Sequence, residues 1–124
     1  MMWVRGIRGA TTVNNNDEEE ILQATAELMN ELIAENDVHP EDIGSILVTT
    51  THDLTATFPA KAIRQMPGWE LVPLMCCLEI PVQPSLPMCI RLMVHVNTTK
   101  RQDEIRHVFL NGAKALRPDI VGKK

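Results

Sequence analysis

The stretch from Met88 to Val96 constrains the fold of this chain more than any other. Ile90, Leu92, Val94 and Val96 fall on one side of an extended backbone, and Arg91, Met93 and His95 fall on the other. A period of two marks a strand, because successive side chains point to opposite faces. The aliphatic face must be covered by helices. The face carrying Arg91 would stay open in a chain of 124 residues, with Met93 exposed beside a charge. A second subunit over that face would resolve both problems. An oligomer with its site near a subunit boundary is therefore expected.

Arg91 is one of four arginines embedded in apolar sequence. Arg8 lies in Gly6-Ile7-Arg8-Gly9-Ala10, Arg64 follows Ala60-Lys61-Ala62-Ile63, and Arg117 sits in Ala115-Leu116-Arg117-Pro118. A guanidinium remains charged at any ordinary pH and is costly to desolvate without an anion. Internal salt bridges would satisfy any one of them. Four together point to an anionic small molecule held by bidentate hydrogen bonds. Glu79 and Cys76 accompany them in Leu74-Met75-Cys76-Cys77-Leu78-Glu79. Glu79 reads either as a salt-bridge partner or as a site carboxylate, and Cys76 as a small core residue or a site thiol.

The rest of the chain supplies the layers. Met2 to Val13 reads as a first strand with glycine breaks at Gly6 and Gly9. Asp17 caps a helix to about Asn36, with Glu20 as its capping-box partner. Ile21, Leu22, Leu28, Met29, Leu32 and Ile33 form its apolar face, and Glu27, Glu31 and Glu35 a solvated one. Pro40 to Ile43 suggests a helical turn and Ser45 to Thr51 a β-branched strand. Pro59 at N1 opens a short second helix, which Pro67-Gly68 ends. Leu71 to Cys77 is extended, with Pro73 marking an edge. Pro81, Pro84 and Pro87 define a loop, and Ile105 to Leu110 is a last strand. The order β-α-β-α-β-β-β predicts a single α+β domain over 1–124, built on a mixed five-stranded sheet.

Composition narrows the function. Between Gly9 and Ala60 there are eleven acids and no Lys or Arg, whereas from Lys61 onward there are ten Lys plus Arg against five acids. The net charge of -4 argues against nucleic acid, which needs a broad basic surface, and against an anionic membrane face. With two Trp, two Phe and no Tyr, a base-stacking surface is not expected. Arg5 and Arg8 interrupt the N-terminus before a secretory apolar run develops, and no stretch approaches the ~18 residues of a membrane span. Free Cys76, Cys77 and Cys89 in a reducing cytoplasm are expected. The histidines show no metal-ligand spacing with these cysteines, so no metal is expected. Gly6-Ile7-Arg8-Gly9 lacks phosphate-loop spacing. Several cations, one carboxylate and no nucleophile or redox group suit positioning and electrostatic stabilisation, not covalent catalysis.

Several segments carry a resemblance that runs in order over nearly the whole chain. They are Val4-Arg5-Gly6-Ile7-Arg8-Gly9-Ala10-Thr11-Thr12-Val13, Glu18-Glu19-Glu20-Ile21-Leu22-Gln23-Ala24-Thr25, Asp53-Leu54, Phe58-Pro59-Ala60-Lys61-Ala62-Ile63-Arg64 and Gly68-Trp69. Cys76 with Glu79, Cys89-Ile90-Arg91, Gln102 to Val108, and Leu116-Arg117-Pro118-Asp119 complete them. The chain resembles the small, monofunctional, trimeric chorismate mutases of bacteria.

The resemblance implies a trimer forming a pseudo-barrel, with three clefts between subunits. It implies conversion of chorismate to prephenate by a Claisen rearrangement, in aromatic amino-acid biosynthesis, with no cofactor. Arg91, Glu79, Arg8 and Cys76 would be catalytic. Phe58, Ala60, Lys61, Arg64, Leu74, Met75, Phe109, Leu116 and Arg117 would bind substrate. Phe58, Ala60, Lys61 and Arg64 would come from one subunit, and the other site residues would come from its neighbour or close the cleft. Phe109 stands where the family often has Tyr, and Met75 where Thr is common. The competing expectation is a non-catalytic trimer that binds a dicarboxylate and regulates a pathway enzyme. It would keep Arg8 and Arg117 but would not need Arg91 aimed at an ether oxygen. A purely structural oligomer with interfacial salt bridges is a third reading.

Overall fold

A computed structural model describes residues 1–116; Arg117 and residues 121–124 lie outside the described residues. Five strands form one sheet: β1 (Trp3–Thr12), β2 (Ile43–Thr50), β3 (Leu74–Leu78), β4 (Cys89–Thr98) and β5 (Val108–Phe109). Their spatial order is β3-β2-β4-β1-β5. Central β4 is antiparallel to both β1 and β2, while the edges β3 and β5 run parallel to β2 and β1. With helices α1 (Glu18–Asn36) and α2 (Ala60–Arg64), this is an α+β fold on a mixed five-stranded sheet, as the sequence predicts.

The alternation in β4 holds. Ile90, Leu92, Val94 and Val96 are buried against a core that also takes Ile7, Ile46, Val48 and, from α1, Ile21, Leu28, Met29 and Leu32. Arg91, Met93 and His95 are half-buried on the other face. Met93 is less exposed than expected because its thioether lies over Gly6, where an added Cβ would meet its sulfur at 3.1 Å. Gly6 and Gly9 do not break β1, which pairs with β4 without interruption from Trp3 to Thr12. Gly9 instead lets α1 approach, since a Cβ there would stand 3.3 Å from Leu28.

Helix α1 begins as its sequence predicts, with the Asp17 carboxylate accepting from the Glu20 N–H at 3.0 Å. Glu20 does not close a reciprocal capping box. The Asp17 N–H already donates to the Asn15 carbonyl, so the Glu20 carboxylate takes the N–H groups of Asn14 and Asn15 instead. The Asn14 N–H bond leads the causes that hold its carboxyl below the ordinary range, against a smaller rise from burial. Pro59 occupies the N-cap of α2 rather than its first turn.

The predicted final strand is shorter than expected. Only Val108 and Phe109 are strand, and Gln102–Glu104 is a 3-10 turn. The Asn36 side chain donates to the Arg106 carbonyl and accepts from the Arg106 N–H, both at 2.8 Å. His107 Nδ1 accepts from the Arg8 N–H at 2.9 Å. Side chains thus satisfy backbone groups here that a strand partner would otherwise take.

Candidate active site

The predicted site residues fall into two groups in the chain. The first surrounds α2 and the outer edge of the sheet. Phe58, Ala60, Arg64, Leu74, Met75 and Cys76 line a cavity of about 610 Å³. Ala60, Ala62 and Ile63 are buried, so helical spacing leaves Arg64 on the outer surface. Phe58 is 70 % exposed and Met75 63 %. Lys61 does not line this cavity. Its ammonium lies 3.3 Å from Glu18 Oε2 in the first turn of α1, and hydrogen bonds from Lys61 and then Thr57 hold the Glu18 carboxyl below its usual range.

The second group lies on the helix-free face. Strand register aligns Cys77, Thr49, Arg91, Ala10 and Phe109 in one row across the sheet. Glu79 follows the end of β3. Its N–H donates to the Thr50 carbonyl at 3.0 Å, and its own carbonyl lies 2.9 Å from His52 Nε2. Its Oε2 accepts from Thr49 Oγ1 at 2.6 Å and stands 3.2 Å from Arg91 Nε. The Nε atom is fully buried and off the hydrogen-bonding line, so that contact is an ion pair rather than an aligned hydrogen bond. The two side chains are 33 % and 15 % exposed, enough shielding for the pair to hold its geometry.

Arg8 is the register neighbour of Met93, and its guanidinium lies 5.9 Å from the centre of the Phe109 ring, within cation–π range. Phe109 is only 4 % exposed, packed in a satellite cluster with Ala10, Ala113, Leu86 and Leu116. Phe109 therefore backs Arg8, and Leu116 packs against the Phe109 cluster. Arg117 lies outside the described residues.

Leu74, Met75 and Cys76 line the same cavity as Phe58, Ala60 and Arg64 within the chain. Cys76 pairs in register with buried Val48, and Cys77 with Thr49. Alternation along β3 then sends Cys76 to the α2 side and Cys77 to the Arg91 side. Cys89, the third thiol, is core, and burial raises its pKa against the opposing charge of Arg91.

Sequence reasoning missed the groups that fix Glu79, namely Thr49, Thr50 and His52. It also missed how Asp53 orders the adjoining turn. Burial raises the Asp53 pKa, but hydrogen bonds from Thr51 and the Met88 N–H outweigh it and leave the carboxyl below its usual value. The run Thr49-Thr50-Thr51 ahead of Asp53 was the available signal, since hydroxyls beside Asp favour local side-chain bonding. Beside Glu79 lies a second cavity of about 220 Å³, walled in part by His52, Asp53, Ile80 and Leu86. Among the described residues, no group of three or more His, Cys, Asp or Glu could hold a metal ion, and no helix is long and apolar enough to cross a membrane.

The site thus belongs to a small α+β domain with guanidinium groups and one fixed carboxylate on the open face of its sheet. The comparisons specify it further. The family model for chorismate mutase type I matches residues 4–120. Chorismate mutase AroH of Bacillus subtilis is 50 % identical over 119 residues, covering 96 % of this chain and 94 % of the relative. Chorismate mutase AroH of Thermus thermophilus is 46 % identical over 118 residues, covering 94 % and 96 %. The solved chorismate mutase from Clostridium thermocellum superposes with a TM-score of 0.87 at 50 % identity, over 90 % of this chain and 98 % of that one. The chain belongs to the chorismate mutase type I family, a family of isomerases, and is a homologue of AroH.

Proposed function

We propose that the protein converts chorismate to prephenate in aromatic amino-acid biosynthesis, as a cytoplasmic homotrimer with one cleft at each subunit boundary. The observation that carries this reading is the division of the site. Arg8, Glu79 and Arg91 sit on the open face, while Arg64 and Cys76 line a cavity on the other side of the edge strand. Neither half alone surrounds a ligand. Joined from two subunits, they enclose a dianion with cations on both sides. Exposed Phe58, Met75 and Leu78 then gain cover.

In that cleft the chemistry is an intramolecular [3,3] shift. The ether C–O bond breaks as the new C–C bond forms, with no proton transfer and no covalent enzyme intermediate. Arg8 and Arg64 hold the two carboxylates, with Arg117 and Lys61 as further cations once Lys61 leaves Glu18. This favours the compact diaxial conformer over the extended ones. Arg91 donates to the ether oxygen, which gains negative charge as its bond to carbon lengthens. Glu79 accepts from the ring hydroxyl, with Cys76 supplied across the boundary. Conformer restriction and charge stabilisation together account for a rate gain of about a million-fold, modest for an enzyme.

Loss of chorismate absorbance on adding pure protein, with prephenate as product, tests the reading. Saturable turnover is expected. Tight binding of chorismate without turnover would favour the dicarboxylate-sensing alternative.

A further inference from the structure

We propose that Thr49 is a positioning residue that selects which oxygen of Glu79 faces the substrate. The inference rests on the reading of Glu79 as the acceptor for the substrate hydroxyl. Glu79 Oε2 is engaged twice, by Thr49 Oγ1 at 2.6 Å and by Arg91 Nε at 3.2 Å. Thr49 and Arg91 are register neighbours on β2 and β4, so both contacts come from the rigid centre of the sheet. The Glu79 backbone is held at both ends as well, through Thr50 and His52.

A carboxylate with one oxygen saturated and its backbone fixed has one orientation left to offer. Oε1 becomes the substrate-facing acceptor, and the guanidinium of Arg91 is kept from swinging toward both oxygens. The Arg91 contact cannot set this orientation alone, because its Nε–H points off the hydrogen-bonding line. The short, directional bond from Thr49 does so. Thr49 itself need not touch substrate.

Thr49→Val removes the hydroxyl at nearly constant volume, and Thr49→Ser keeps the hydroxyl while removing the methyl. With Thr49→Val, kcat for chorismate should fall about ten-fold, the size of one lost charge-assisted hydrogen bond. KM should change less than two-fold, and thermal midpoint and subunit stoichiometry should stay as in the parent. Thr49→Ser should recover most of kcat. An unchanged kcat in Thr49→Val overturns the proposal. So does a loss that Thr49→Ser fails to restore, or one that only tracks a fall in stability. Crystal structures of the parent and Thr49→Val give a readout independent of turnover. The Glu79 carboxylate should leave Arg91 Nε in the variant, and an unmoved carboxylate overturns the proposal. If the parent does not turn over chorismate, the functional reading fails, and the crystal structures alone decide the role of Thr49.

Discussion

In the proposed reaction the Arg91 guanidinium has two tasks. Its Nε stands 3.2 Å from Glu79 Oε2, which would leave the terminal amino groups to meet the ether oxygen. That oxygen is weakly basic in the substrate and becomes anionic as its bond breaks, so the interaction strengthens in the transition state. Arg91→Ala should raise the barrier by at least ~3 kcal/mol, the scale of losing one oxyanion donor. Arg91→Lys keeps the charge without the planar fork and should recover only part. Affinity for product should fall less than turnover does. Equal losses in both would make Arg91 a carboxylate clamp. The sequence exposed Arg91 because a charge at period two in an aliphatic strand has few explanations. It could not show what Glu79 touches. Thr49 lies 30 positions away and meets it only through the parallel register of β2 and β3. Lys61 escaped for the same reason, since its partner Glu18 is 43 positions distant.

Elements were legible where their own residues decide them. Helix α1 has a capping aspartate and a continuous apolar stripe, and β4 has its alternation; both elements form where expected, although Glu20 does not close the capping box. The final strand, expected over Ile105 to Leu110, is confined to Val108–Phe109 because a side chain from another element decides the residues before it. Asn36, at the end of α1, is 4 % exposed and bonds both backbone groups of Arg106. Its Nδ2 also reaches the Leu32 carbonyl at 3.0 Å. The apolar residues Ile105, Val108, Phe109 and Leu110 look like strand, but no pattern within the segment reveals that a distant asparagine occupies its backbone. Asn36→Ala leaves those groups without partners and should cost about 1–3 kcal/mol of stability. Thermal unfolding should show the loss, and the Arg106 amide should lose its protection from hydrogen exchange. An unchanged midpoint would mean that water replaces the side chain at no cost.

For the whole molecule, the two-faced sheet makes assembly a functional matter. One side of β4 is sealed by α1 and the core, and the other carries Arg8, Arg91 and half-buried Met93 beside exposed Leu47. The Arg64 cavity lies past the edge strand, with Cys76 turned toward it and Cys77 away. In the proposed cleft, Arg64 would come from one chain and Arg91 from the next. Sedimentation or light scattering should give about three times the chain mass of 13.9 kDa. Arg64→Ala and Arg91→Ala should each be nearly inactive, and Arg64 is exposed, so its loss should leave the core intact. When the two variants are mixed and allowed to exchange subunits, a cleft is native only where an Arg91→Ala chain lends Arg64 to an Arg64→Ala chain that lends Arg91. Random assembly from equal amounts yields about a quarter of clefts in that state, given cyclic closure, and activity should return to about that fraction. If exchange is demonstrated and no activity returns, both arginines serve the same chain's cleft, and the shared-site reading falls.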